Sequence, residues 1–247
     1  MTLSTTYDPL GVLKPVAPEV WIVDGPAIDF GPPGLRAPFP TRMTLVRLPQ
    51  GLFVHSPTAL TPALREEIAG LGTPRWLIAP NRLHYWWLPD WRTAYPGAEA
   101  FLAPGVRRQA GGRIDFPATE LDGLARPPWS PQIETLGVAG DFMTEFVFFH
   151  GASRTLVLTD LIENFEAERL PSRRLRWLTR LGRAQAPDGQ TPLDMRLTYW
   201  RRRRQVRAAA EKMIAWAPER VIIAHGRWFE RDGTQELRRA LRWVLKA

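Results

Sequence analysis

The sequence predicts an α/β protein in which two mixed β-sheets pack face to face with helices on the outside. Three observations lead there. Residues 52–79 run strand, short helix, strand, the pattern of a βαβ unit with parallel neighbours. Two further strand pairs, within 43–55 and 145–158, are joined by short turn-forming stretches and read as antiparallel hairpins. Polar residues also stand just beyond several strand ends, where open α/β sheets gather their functional groups.

Composition allows such a fold. The 247 residues are 45% hydrophobic, enough for a sizeable core, and with no repeat or low-complexity linker they read as one domain, 1–247. The chain has no cysteine, which excludes disulfides and thiolate metal ligands and suggests a reducing compartment. Residues 1–18 lack a basic stretch followed by an apolar one, so no secretory signal is expected. No apolar run approaches the ~18 residues of a spanning helix, and a soluble, cytoplasmic protein is expected. The net charge is +8, and residues 164–207 carry twelve arginines against four acids (Glu166, Glu168, Asp188, Asp194). This basic helical insertion either holds an anionic partner (nucleic acid, lipid or an acidic substrate) or is a solvated, arginine-biased helix face. It carries no nucleic-acid-binding motif.

In chain order, residues 1–18 are rich in turn formers and read as a surface segment. Val20–Val23 is a first strand, and Gly25–Pro40, with five prolines and three glycines, a loop. Met43–Leu48 and Leu52–His55 flank Pro49-Gln50-Gly51 as a hairpin. Thr61 caps a helix that has Pro62 at its first position, Leu64, Ile68 and Leu71 on one face, and Gly72 as its stop. Strands follow at Trp76–Ala79 and Ala98–Ala103. Residues 105–131 are mostly loop, with Gly123–Pro131 as a cover for a pocket. Glu145–Phe149 and Arg154–Leu158 pair around His150–Ser153. Helix is expected around Arg173–Leu181 and, by apolar spacing, from Val206 to Ala217. Val221–Ala224 is the last strand. Asp232 and Gln235 open a C-terminal helix as a capping pair.

The chemistry gathers around Ile78–Trp91. A strand there runs into a turn presenting Asn81 and His84, with Trp86, Trp87 and Trp91 as an apolar wall. His55, Asp160 and His225 also follow strands. Two imidazoles and a carboxylate suit zinc, iron or manganese, although each histidine alone also fits a residue that orders its own turn. The hairpin keeps His150 away from Asp160, because the intervening strand spans ~17–20 Å. The same geometry returns Asp141 to Glu145 to the Asp160 edge, which makes Asp141 or Glu145 a candidate neighbour. His55 reads as supporting the site from behind.

These residues resemble the metallo-β-lactamase superfamily over roughly residues 20–247, which implies an αββα sandwich. His55-Ser56-Pro57 stands where that family has an aspartate-glycine turn. Asn81-Arg82-Leu83-His84-Tyr85-Trp86 stands in place of its His-x-His-x-Asp-His loop. Thr159-Asp160 matches its bridging aspartate, and His225-Gly226 its last histidine. The Ala-Pro-Asn-x-x-His turn and the run from Ser153 to Asp160 are similar to a branch known only as a domain of unknown function. The altered loop implies one metal at most, on His84, Asp160 and His225 with Asp141 as a fourth donor, rather than two. The resemblance implies a single-metal hydrolase of an ester, lactone or phosphoester. The alternative is a relative that kept the fold without the catalysis and binds an anionic partner. Activity on generic substrates is expected to be weak or absent.

Overall fold

The computed structural model describes residues 5–31 and 36–246. Strands β1 (Lys14–Ala17), β2 (Val20–Phe30), β3 (Ala37–Leu48) and β4 (Gly51–His55) form an antiparallel meander. Helix α1 (Pro62–Leu71) crosses to β5 (Pro74–Ala79), which lies parallel to β4. Helix α2 (Leu88–Ala94), β6 (Glu99–Leu102), α3 (Val106–Ala110) and β7 (Thr119–Glu120) follow, and the seven strands lie in sequence order. The second sheet begins with the antiparallel β8 (Ile133–Ala139), β9 (Thr144–His150) and β10 (Thr155–Val157). After α4 (Arg173–Leu181), α5 (Leu193–Tyr199) and α6 (Arg203–Ala215), β11 (Arg220–Ile222) joins β10 in parallel. Helices α7 (Gly233–Ala240) and α8 (Arg242–Leu245) complete the chain.

The period-two alternation of β9 assigns the layers. Phe146 and Phe148 share a core with Phe53, Trp76 and Phe101 of the larger sheet, whereas Val147 and Phe149 share one with Val206, Ala210 and Met213 of α6. Leu64 and Ile68 of α1 close the outer face of the larger sheet. Two mixed sheets therefore face each other, with helices outside. The local signals for α1 are also realised: Thr61 Oγ1 accepts from the Leu64 amide at 3.1 Å, and Gly72 ends the helix at φ 142°. Among the described residues no helix is long and apolar enough to cross a membrane.

Several elements differ from expectation. Most of Gly25–Pro40 is strand rather than loop (residues 32–35 lie outside the described residues). Pro26 falls at the register shift between Gly25 and Ile28. β4 covers only Thr44–Leu48 of β3, so Pro38 and Pro40 meet an open edge where a missing amide costs no ladder bond. The two arms consequently extend past the sheet. In the N-terminal segment, β1 pairs with β2 and Lys14 reaches Asp24 at 2.8 Å; residues 1–4 lie outside the described residues. Gly123–Pro131 lines a separate surface pocket beside β8 and β9, not the cavity at the strand ends, and its Trp129 is buried between the sheets against Phe53, Phe101 and Phe148. Asp232 takes a left-handed φ of 55° and makes no side-chain cap; its carbonyl accepts from the Gln235 and Glu236 amides instead.

Candidate metal centre

Four strand ends supply the site. Asp160 follows β10, where a buried carboxylate fixes the turn. Glu145 Oε1 accepts from the Thr159 amide at 2.8 Å, and Oε2 accepts from the amides of Asp160 and Leu161, each at 2.9 Å. Burial, then the charge of Asp160, pushes the Glu145 carboxyl up to about 7 against the pull of those amides. After β5, Asn81 closes the loop on itself. Its Oδ1 accepts from the amides of Leu83 (2.8 Å) and His84 (3.1 Å), and its Nδ2 donates to Asp160 Oδ2 (2.6 Å) and Thr159 Oγ1 (2.9 Å). Every polar atom of this side chain is engaged within the protein. Asn81 is thus a positioning residue, not the substrate contact expected.

His84 and His225 meet over Asp160. Their Nε2 atoms stand 3.2 Å apart, with His84 Nε2 3.3 Å from Asp160 Oδ2 and His225 Nε2 3.0 Å from Oδ1. The other ring nitrogens are tied off: His225 Nδ1 donates to the Pro40 carbonyl at 2.7 Å, and His84 Nδ1 bonds Ser56 Oγ at 2.8 Å. Because Nδ1 of His225 must be the donor, its neutral form turns the Nε2 lone pair toward Asp160. A His225 lone pair and a carboxylate so close to His84 Nε2 need either a cation or a proton on that nitrogen between them. One donor atom from each of the three residues lies within 4.8 Å of the others. A nitrogen–nitrogen–oxygen set with a backbone-anchored imidazole fits one divalent ion. Without it, burial would lower the His225 imidazole, but the hydrogen bond and charge of Asp160 raise it. Burial would likewise raise Asp160, yet the imidazoles hold it far below the usual carboxylate range.

The floor opens into a cavity of about 200 Å³. Its walls are apolar: Ile28, Phe30 and Phe39 from the overhanging arms, Trp86 and Trp87 from the β5 loop, and Phe142, Met143 and Met195 opposite. Trp86 and Trp87 stand in the wall as expected. Trp91 does not; it is fully buried and donates Nε1–H to the Thr58 carbonyl at 2.7 Å. Asp141 is also absent from the cluster. Its side chain is 42% exposed and pairs with Arg202 at 3.4 Å, because the turn before β9 points outward there. His55 is buried edge-on to Phe148 with neither ring nitrogen partnered, and burial, then the charge of His84, pushes it down to about 3. His150 is buried at the hairpin's far end against Ser153 (2.8 Å), opposite Thr155 in register.

Two features carried no local warning. Glu163 lines the cavity beside His225, and burial pushes its carboxyl up to about 8. Arg42, buried in β3, binds Asp24 at 2.8 Å and donates to the carbonyls of Ile223 (2.7 Å) and Gly226 (2.9 Å). Each of these strands carries two charges (Asp24 and Asp29, Arg42 and Arg47), so nothing local singled out that pair.

No family model and no curated protein sequence matches the chain. Solved structures do. The mono-zinc form of the metallo-β-lactamase FIM-1 from Pseudomonas aeruginosa superposes with a TM-score of 0.63 at 13% identity, over 100% of this chain and 97% of the other. A metallo-β-lactamase from Hirschia baltica gives 0.59 at 18%, over 94% and 96%. A metal-soaked flavodiiron core from Synechocystis gives 0.60 at 13%, over 95% and 60%. At such identities the likeness is one of architecture, and on that ground this chain has the metallo-β-lactamase fold.

Proposed function

We propose that the protein is a single-metal hydrolase of a neutral, apolar ester or lactone. The observation that carries this is the convergence of His84 Nε2, His225 Nε2 and Asp160 at the floor of an apolar cavity, with both Nδ1 atoms occupied elsewhere. A bound divalent ion would supply a water of lowered pKa and polarise the substrate's carbonyl oxygen. The chain's own residues do the rest. Ser56 and Pro40 orient the two imidazoles, and Asn81 holds Asp160 in register. Trp86, Trp87 and Phe39 pack against the apolar part of the substrate and exclude bulk water. Glu163 retains a proton at neutral pH and is the donor for a leaving alkoxide oxygen. Asp194 also lines the cavity, and a carboxylate there disfavours an anionic phosphoester.

The test is metal analysis of protein purified without a histidine tag, alongside hydrolysis of neutral ester, lactone and phosphodiester probes. One equivalent of metal is expected, lost in His84→Ala and in His225→Ala, with ester or lactone turnover lost in parallel. Metal-free protein that stays inactive when zinc, iron or manganese is added would defeat the reading and leave a binding protein. Two tightly held equivalents would defeat the single-metal part.

A further inference from the structure

Helix α4 buries none of its side chains. Its Trp177, Leu178 and Leu181 are all exposed, Trp177 by 62%, and their spacing sets them on one helical face. Helix α5 continues this surface, because the Leu193 amide donates to the carbonyl of Gly182, which ends α4, at 3.1 Å. Leu193, Leu197 and Trp200 recur at i, i+4 and i+7; Leu197 is 75% exposed and Trp200 66%. Six of the eight large hydrophobic side chains exposed among the described residues thus lie between residues 177 and 200. That is a patch, not scatter. Around it stand Arg173, Arg174, Arg180, Arg183, Arg201 and Arg204, all exposed and none paired with a carboxylate among the described residues.

We infer that the α4–α5 face seats the protein on an anionic lipid bilayer. Exposed leucines and tryptophans on short amphipathic helices gain by entering the boundary between headgroups and acyl chains, and unpaired guanidiniums gain from the phosphates above it. A nucleic acid would satisfy the arginines and stack on the tryptophans, but it offers Leu178, Leu181, Leu193 and Leu197 nothing. A second copy would cover the leucines only by pressing two arginine surpluses together. Helix α5 also supplies Asp194 and Met195 to the cavity wall, so the seated face borders the cavity. The inference goes beyond the hydrolase reading and does not rest on it, since binding requires no turnover.

Co-sedimentation of the full chain with vesicles tests it, using phosphatidylcholine alone and phosphatidylcholine mixed with phosphatidylglycerol. The protein should partition onto the anionic vesicles and leave the neutral ones. Replacing Arg173, Arg174 and Arg180 together with Gln should weaken partitioning about a hundred-fold. Leu197→Ser with Trp200→Ser, which leaves the charge intact, should weaken it about ten-fold or more. Thermal unfolding of both variants separates lost binding from lost fold, and the arginine variant alters only exposed side chains. Three results overturn the inference: equal partitioning onto both vesicles or none; vesicle binding that survives Leu197→Ser with Trp200→Ser; or capture of a labelled oligonucleotide, or self-association in light scattering, by protein that ignores anionic vesicles.

Discussion

Asn81 shows how one side chain can hold a site without touching a substrate. It accepts two amides of its own loop and donates to Asp160 across the two sheets. Asn81→Ala strands the Leu83 amide, leaves the His84 amide only the carbonyl of residue 81 at 3.3 Å, and loosens the carboxylate, so a loss of about 2–3 kcal/mol is expected in denaturant unfolding. Metal affinity should fall about 10–100-fold in a titration, as for other partners of metal ligands. Glu163 makes a pH prediction. Burial moves its carboxyl from the ordinary 4.5 to about 8, so between those values the folded chain keeps a proton that the unfolded chain has released. Stability therefore falls as pH rises through that window. In chelator-treated protein, Glu163→Gln should match the parent below pH 4.5 and exceed it above pH 8. A parent-like profile in thermal melts across the whole range would contradict this. His84, Asp160 and His225 were legible because each follows an apolar strand. Glu163 was not, since its cavity is walled by segments far apart in the chain.

Among the elements, those with local signatures were read correctly: the Thr61-capped helix, the two hairpins and the βαβ crossing. The long β2–β3 arms were missed because proline and glycine mean loop only where a neighbouring strand needs the amide. Beyond β4 none does. The tie between these arms and the end of β11 rests on Arg42 with Asp24. Arg42→Ala leaves Asp24 buried with only Lys14 for company and frees two carbonyls, so about 3–5 kcal/mol should be lost in chemical denaturation. Arg42→Lys should recover little, because one ammonium cannot serve the carboxylate and both carbonyls together. The His225 turn is equally unforgiving. Gly226 has φ 97°, and an added Cβ would lie 2.2 Å from the Asn164 carbonyl oxygen. Gly226→Ala should therefore abolish metal binding even where circular dichroism still reports a folded chain.

For the molecule as a whole, two apolar cores rather than an ion hold the layers together. Chelation should thus leave the far-ultraviolet dichroism unchanged and lower the melting temperature only by the mass-action term of a bound ligand. Collapse of the fold on chelation would show the metal to be structural. The layering was legible from the order of strands and helices. A solvated face for the arginine-rich helices was among the expectations, but the exposure of their leucines and tryptophans was not legible, because an apolar stripe looks the same in sequence whether a core or another medium receives it.

Arg42 closes its contacts with residues 181 and 184 positions further along the chain, and Pro40 with one 185 positions on. During synthesis the first sheet must therefore wait, its buried arginine half-satisfied, until residues 223–226 have emerged. Such long-range closure is slow compared with helix or hairpin formation. Arrested nascent chains ending before residue 220 should accordingly be protease-sensitive and rely on chaperones, and resistance should arrive in one late step with the Ile223–Gly226 segment.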